Sequence, residues 1–298
     1  MQRLILKAVA TAVFTDQVRL RFLIASRPES HIAEIFRTHP LDRHHQPITL
    51  VDDYQTKQEM RQYLRSGFNE IWERRFELMF TVKKPWPLEN ELSTLVYRAS
   101  GQFLYASTVL RFVDSDECHP VQQLALILQR QSGYAIAFST MDELYSLILE
   151  SCPCKQNYPS FFRSLVIRRV ASRSFYVSPS LANYVILSGL QPHDILLLLR
   201  WLPAIIQFKW PQQEDLPDGW PLEAFMQHYS PELAVYHASF IEFLTDRSRS
   251  GKFYIHEEGA YAEMTDRLDT MVADRLGCSI WYENIQMSMQ QVFIAYLQ

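Results

Sequence analysis

The sequence predicts a mainly α-helical protein with a short remnant of parallel β-sheet near its N-terminus. Three observations carry that prediction. Apolar residues recur at helical spacing along most of the 298 positions. Eighteen Phe and fifteen Tyr stand against only eight Gly, a balance that favours a helix-rich body. Just two short apolar runs, both early in the chain, are bounded as buried parallel strands are.

The first run lies in RLRFLIASRPESHIAEI, residues 19–35, where Leu20, Phe22, Leu23, Ile24 and Ala25 precede Ser26-Arg27-Pro28. It reads as one core strand. Ser26 or Pro28 can then open a helix, with Glu29 in its first turn and Ile32, Ile35 and Phe36 on one face. Arg27 therefore falls at a strand's carboxyl end, the edge at which open α/β sheets bind ligands. Its planar fork of donors suits a phosphate. The plainer alternative is a surface arginine in a turn.

Before that run, MQRLILKAVATAVF reads as an amphipathic helix over Leu4, Ile5, Val9, Val13 and Phe14 rather than a signal peptide. Lys7 breaks its apolar stretch and no cleavage region follows. No apolar run approaches the length of a membrane span; the longest, 195–208, contains Arg200 and Pro203. Cys118, Cys152, Cys154 and Cys278 lack the spacing of a disulfide framework, a redox pair or a zinc site. These features point to a soluble chain in a reducing, cytoplasmic compartment. The net charge of −4 gives no general affinity for nucleic acid.

After a polar loop, THPLDRHHQP, Ile48 to Val51 reads as the second strand. Asp52 or Asp53 caps a helix from Tyr54 to about Arg75 that buries Met60, Tyr63, Leu64, Phe68 and Ile71. Residues 83–87, KKPWP, break the chain. Helices Glu89 to Ala99 and Gln102 to Val113 follow, joined at Ser100-Gly101, with Gly101 as a left-handed C′ residue. Two strands alone cannot make a stable doubly wound sheet.

In the second half, Ser139 to Glu143 forms a capping-box pattern and opens a helix to Glu150 that buries Leu144, Leu147 and Ile148. Helices over 159–170, 178–188 and 192–201 come next. Short strands at Ile205–Lys209 and Leu233–Tyr236 then flank a long Pro-rich loop. That is winged-helix order. The candidate recognition helix, Asp194 to Trp201, is apolar nearly all round, so DNA binding is not expected. His237 follows the second strand and precedes a helix that turns Phe240, Phe243 and Leu244 inward, with Ser239 as a candidate cap. The other histidines share no metal-binding spacing.

The blocks RFLIASRPESHI, ITLVDDYQTKQEMRQYLRSGF, WPLENELSTLVYRASGQFLYASTVLRFV and HASFIEFLTDRSRSGKFYI occur in that order. Together they resemble the second half of fungal NACHT-domain proteins, signalling ATPases of the NOD-like receptor type (the STAND class). The resemblance implies a truncated α/β nucleotidase core over 1–82, a helical domain over 83–135, a winged-helix-like domain over 136–258 and a helical extension over 259–298. It makes Arg27 the sensor arginine of the nucleotidase core. It also makes His237 the winged-helix histidine that reaches bound ADP, with a strand-helix junction histidine as the alternative. The family's phosphate loop, G-x-x-x-x-G-K-[ST], does not occur in these residues, because Gly251-Lys252 is preceded by Ser-Arg-Ser and followed by Phe253. The acidic strand is missing too, and Asp52-Asp53 reads as a helix cap rather than a magnesium site. The expectation is a non-catalytic fragment without a cofactor, with ADP or ATP bound only if the loop is supplied elsewhere. It would act through a protein partner, or a second copy, at the exposed sheet edge.

Overall fold

The structure is a computed structural model that describes residues 2–14, 20–26, 29–38, 41–48, 54–130, 137–174, 181–209, 232–263 and 266. These are mainly helical, with one small sheet. The chain divides into two units, Met1–Val51 and Asp52–Gln298.

The first unit contains α1 (Gln2–Phe14), α2 (Ser30–Phe36) and α3 (Leu41–His44), packed on one another. Among its described residues the buried apolar side chains are Leu6, Ile32 and Leu41, one from each helix. The amphipathic α1 is therefore turned differently from its predicted face, since Leu4 and Ile5 are exposed. Beyond that contact, Val9 of α1 and Ile35 and Phe36 of α2 are half-buried. Helix α2 starts at Ser30 because the Glu29 carbonyl accepts the first helical N–H bonds, from Ile32 and Ala33 at 3.0 Å each. Helix α3 occupies part of the stretch expected to be a polar loop, with Asp42 in its first turn and Arg43 and His44 in its last. Both signs of charge complement its dipole.

Residues 20–26 do not form the expected strand. A parallel strand is held by ladder partners on both sides, and the sheet of the described residues does not include it. Its side chains are correspondingly wet, Leu23 being 93% exposed. Ile48 is likewise exposed and outside any strand. The remainder of that second expected strand, 49–51, lies outside the described residues.

The second unit begins with α4 (Tyr54–Arg74), α5 (Phe76–Met79), α6 (Glu89–Ala99), α7 (Phe103–Val113) and α8 (Pro120–Gln129). Met60, Leu64, Phe68 and Ile71, spaced three or four apart, bury one stripe of α4 against α6 and α7. Tyr63 lies off that stripe and meets Phe103 edge-on at 5.6 Å instead of entering the core. Helix α6 is capped when the Glu91 carboxylate accepts the Leu88 N–H at 2.8 Å. It ends at Ser100 and Gly101, both with positive φ, so the reversal takes two left-handed residues rather than one. The α8 C-terminus is satisfied from a distance. Arg98 donates to the carbonyls of Ile127 (2.6 Å), Leu128 (3.2 Å) and Arg130 (2.5 Å), meeting orphan acceptors with positive charge.

Next come α9 (Ala137–Ser151), α10 (Tyr158–Ser174), α11 (Leu181–Ser188) and α12 (Pro192–Trp201). Helix α9 starts two residues before the predicted capping box, which therefore lies inside it. Phe161, Phe162, Leu165, Val166 and Ile167 fill the core from α10, as do Leu144, Leu147 and Ile148 from α9. Helix α12 buries Ile195, Leu198 and Leu199 but leaves Leu197 exposed, so its apolar surround is not fully covered. Strands β1 (Ile206–Lys209) and β2 (Glu232–Val235) pair antiparallel, with Ile206 opposite Val235 and Lys209 opposite Glu232. Helices α13 (Ser239–Leu244) and α14 (Arg247–Ser250) and a helix over 257–263 follow among the described residues. One continuous apolar core runs from Met60 to Ala260.

The junction at His237, a candidate functional site

Arg27, the predicted sensor arginine, lies outside the described residues. His237 lies within them, half-buried between β2 and α13. Its Nδ1 accepts the backbone N–H of Ser239 at 3.1 Å, so that nitrogen carries no proton. The Ser239 hydroxyl is 2.8 Å from the same Nδ1 and 2.8 Å from the Tyr145 hydroxyl. With Nδ1 an acceptor, the donors run in sequence from Tyr145 to Ser239 to His237. Ser239 is thus the first helical residue rather than the cap, and the imidazole does the capping.

His119 and His256 do the same elsewhere. His119 Nδ1 accepts the Val121 N–H at 3.2 Å at the start of α8, and its Nε2 donates to the Leu78 carbonyl at 3.0 Å. His256 Nδ1 accepts the Gly259 N–H at 3.0 Å at the start of the helix over 257–263. Each ring satisfies one of the N–H groups that a helix leaves without an intrahelical partner.

Around His237, other elements converge. Arg169 of α10 donates to the Ala238 carbonyl at 3.2 Å and faces Glu242 at 3.8 Å. The Arg111 guanidinium of α7 lies 3.7 Å from the Tyr236 ring centroid, a cation–π contact. Tyr145 of α9 packs against Phe240 and Phe243 at 5.1 and 5.5 Å. Its phenol is pushed up to about 12, mainly by burial, while the hydrogen bond with Ser239 works the other way. It is therefore a donor and not a base at neutral pH. Burial also pushes up the thiols of Cys118 and Cys152, which keeps them protonated and poorly nucleophilic.

Arg111, Tyr145 and Arg169 were not singled out by sequence reasoning. Each reaches a partner far along the chain, 94 residues away for Tyr145 and 69 for Arg169, and no local pattern encodes such a pair. Among the described residues no three His, Cys, Asp or Glu side chains gather as a metal site, and no helix is long and apolar enough to cross a membrane. No protein-family model, curated protein or solved structure matches the chain.

Proposed function

We propose that the chain is a non-catalytic regulatory and protein-interaction module of the NACHT signalling-ATPase type. Its order of three helices, two antiparallel strands and a histidine-started helix supports reading residues 136–258 as winged-helix-like. The observation that carries the interaction is the wet apolar run over 20–24, with Leu20, Phe22, Leu23 and Ile24 all exposed, together with Ile48. Covering about 300 Å² of such surface is worth roughly 7 kcal/mol before the entropy of association is subtracted. A second copy, or a separate chain offering strands, is the occupant that an apolar segment outside any ladder favours. The alternative, ADP or ATP held through Arg27 and His237, draws less support, because His237 Nδ1 is committed to its own helix.

Static light scattering on the purified chain tests this reading. Concentration-dependent association that disappears in the F22D/I24D variant is the expected result. A wild-type chain that stays monomeric at high concentration overturns it. Magnesium-dependent ATP hydrolysis lost on Arg27→Ala would favour the alternative.

A further inference from the structure

A cleft of about 560 Å³ opens in the second unit, lined by neither His237 nor Ser239 and within the size range of small-molecule sites. Two helical faces line it. One carries Lys155, in the short helical turn before α10, with Tyr158, Pro159, Phe162 and Arg163 of α10, and the other carries His256, just before the helix over 257–263, with Gly259, Ala260 and Glu263. Both sets follow the three-and-four spacing of a helix face, so each wall is a continuous stripe. Between them runs the strip from Lys252 to Ile255.

The lining is aromatic. Tyr158 stacks on Phe162 at 4.8 Å and meets Phe253 edge-on at 6.2 Å, while Tyr254 meets His256 edge-on at 6.3 Å. Its charge is unbalanced. Arg163 is paired with Glu263, which closes one end of the two stripes. Lys252 is paired with Glu150 at 2.7 Å. Lys155, exposed and eight positions back from Arg163, has no carboxylate partner among the described residues. His256 stands seven positions back from Glu263; its Nδ1 is occupied by the Gly259 N–H, so the neutral ring carries its proton on Nε2. Arg163 and Lys252 are thus neutralised, and Lys155 is left as a lining cation with no carboxylate partner among the described residues.

We propose that this cleft binds a small aromatic anion, its ring against Tyr158, Phe253 and Tyr254 and its charged group at Lys155. Flat apolar walls recognise the ring, and the Lys155 ammonium recognises the carboxylate, sulfonate or phosphate ester that it carries. The proposal is independent of the interaction reading for residues 20–24.

The test titrates the full chain with 2-naphthalenesulfonate, and with 2-naphthol and sulfate as the ring and the charge alone, followed by calorimetry and tyrosine resonances. One site for the sulfonate is expected, with 2-naphthol about tenfold weaker and sulfate not bound. Reversing the charge in Lys155→Glu should weaken the sulfonate by at least about tenfold. Gly259→Leu should abolish binding by filling the cleft, since a Cβ at Gly259 meets only ordinary contacts, 3.5 Å to His256 Nδ1. Retention of full affinity in either folded variant overturns the proposal. So does absence of sulfonate binding at millimolar concentration, or equal binding of sulfonate and naphthol.

Discussion

Arg249 grips Asp142 with two hydrogen bonds, Nε to Oδ2 at 2.9 Å and Nη2 to Oδ1 at 2.8 Å, across 107 residues of sequence. Both side chains are largely buried, at 23% and 13% exposure, so the pair joins α14 to α9 where solvent screens it little. The hydrogen bonding that it donates to Asp142 is also the main reason the Arg249 guanidinium is held even more firmly protonated. Arg249→Ala should destabilise the chain by about 2–3 kcal/mol, because it leaves a carboxylate without its partner. Arg249→Lys should recover less than half of that, since an ammonium cannot reproduce the two-pronged grip. Urea denaturation of the three chains decides it; equal midpoints would show the pair to be idle.

Gly67 in α4 sits under Leu110 of α7, and a Cβ there would lie 2.4 Å from Leu110 Cδ1 and 3.2 Å from its Cγ. In a solvated helix, Gly→Ala stabilises by about 1 kcal/mol. Here overpacking should outweigh propensity, and Gly67→Ala should destabilise by about 0.5–1.5 kcal/mol. In a Leu110→Ala background the same change should become stabilising. A double-mutant cycle reads the reversal of sign, and two changes of the same sign would refute the contact.

How much could be read beforehand follows from how local each signal is. The faces of α4, α9 and α10 were legible because an apolar stripe needs only three-and-four spacing, and Phe68, Ile148 and Phe161 are buried accordingly. The two short strands after α12 were legible from their flanking breaks. What failed depended on distant partners. Residues 20–25 have a strand's composition, but only a ladder makes a strand, and composition does not reveal its absence. At His237 the position was legible as a junction. Its bond to Ser239 is local, whereas Tyr145 and Arg169 reach it through the fold. The cleft was hidden for the same reason: each stripe alone looks like an ordinary half-buried helix face.

Two glutamates give opposite pH signatures. Hydrogen bonding from Lys252, then from Arg130, holds the Glu150 carboxyl below its usual 4.5. Its contribution is present above that value and is lost as pH falls through the depressed one. Burial holds Glu143 above 4.5, against the pull of Arg98 and Arg130. Its charged form costs stability at neutral pH, and the cost disappears as pH falls to its unfolded value. Glu150→Gln should therefore lower the melting temperature at about pH 7 and cease to matter in strong acid. Glu143→Gln should raise it at about pH 7, with the gain fading by about pH 4. Melting curves across that range test both signs.

The three histidine caps predict a shared substitution pattern. Replacing His119, His237 or His256 with Ala should cost about 0.5–1.5 kcal/mol each, as loss of a cap does. Asn offers a carbonyl oxygen to the same N–H and should retain a larger share of the stability. If Asn were no better than Ala at all three positions, the rings would be held for another reason.

Lys209 and Glu232 face each other across the β1–β2 ladder, so the two ends of the sequence between them lie at neighbouring points of the sheet. Closure entropy grows only with the logarithm of length, and cutting the roughly twenty residues of sequence between those ends to four would alter it by about 1.5 kcal/mol. The strand pair thus works as a drawstring. It insulates the rest of the architecture from length changes at that point, which makes the seam a natural place for descendants of this chain to gain or shed sequence and for an engineer to graft a reporter.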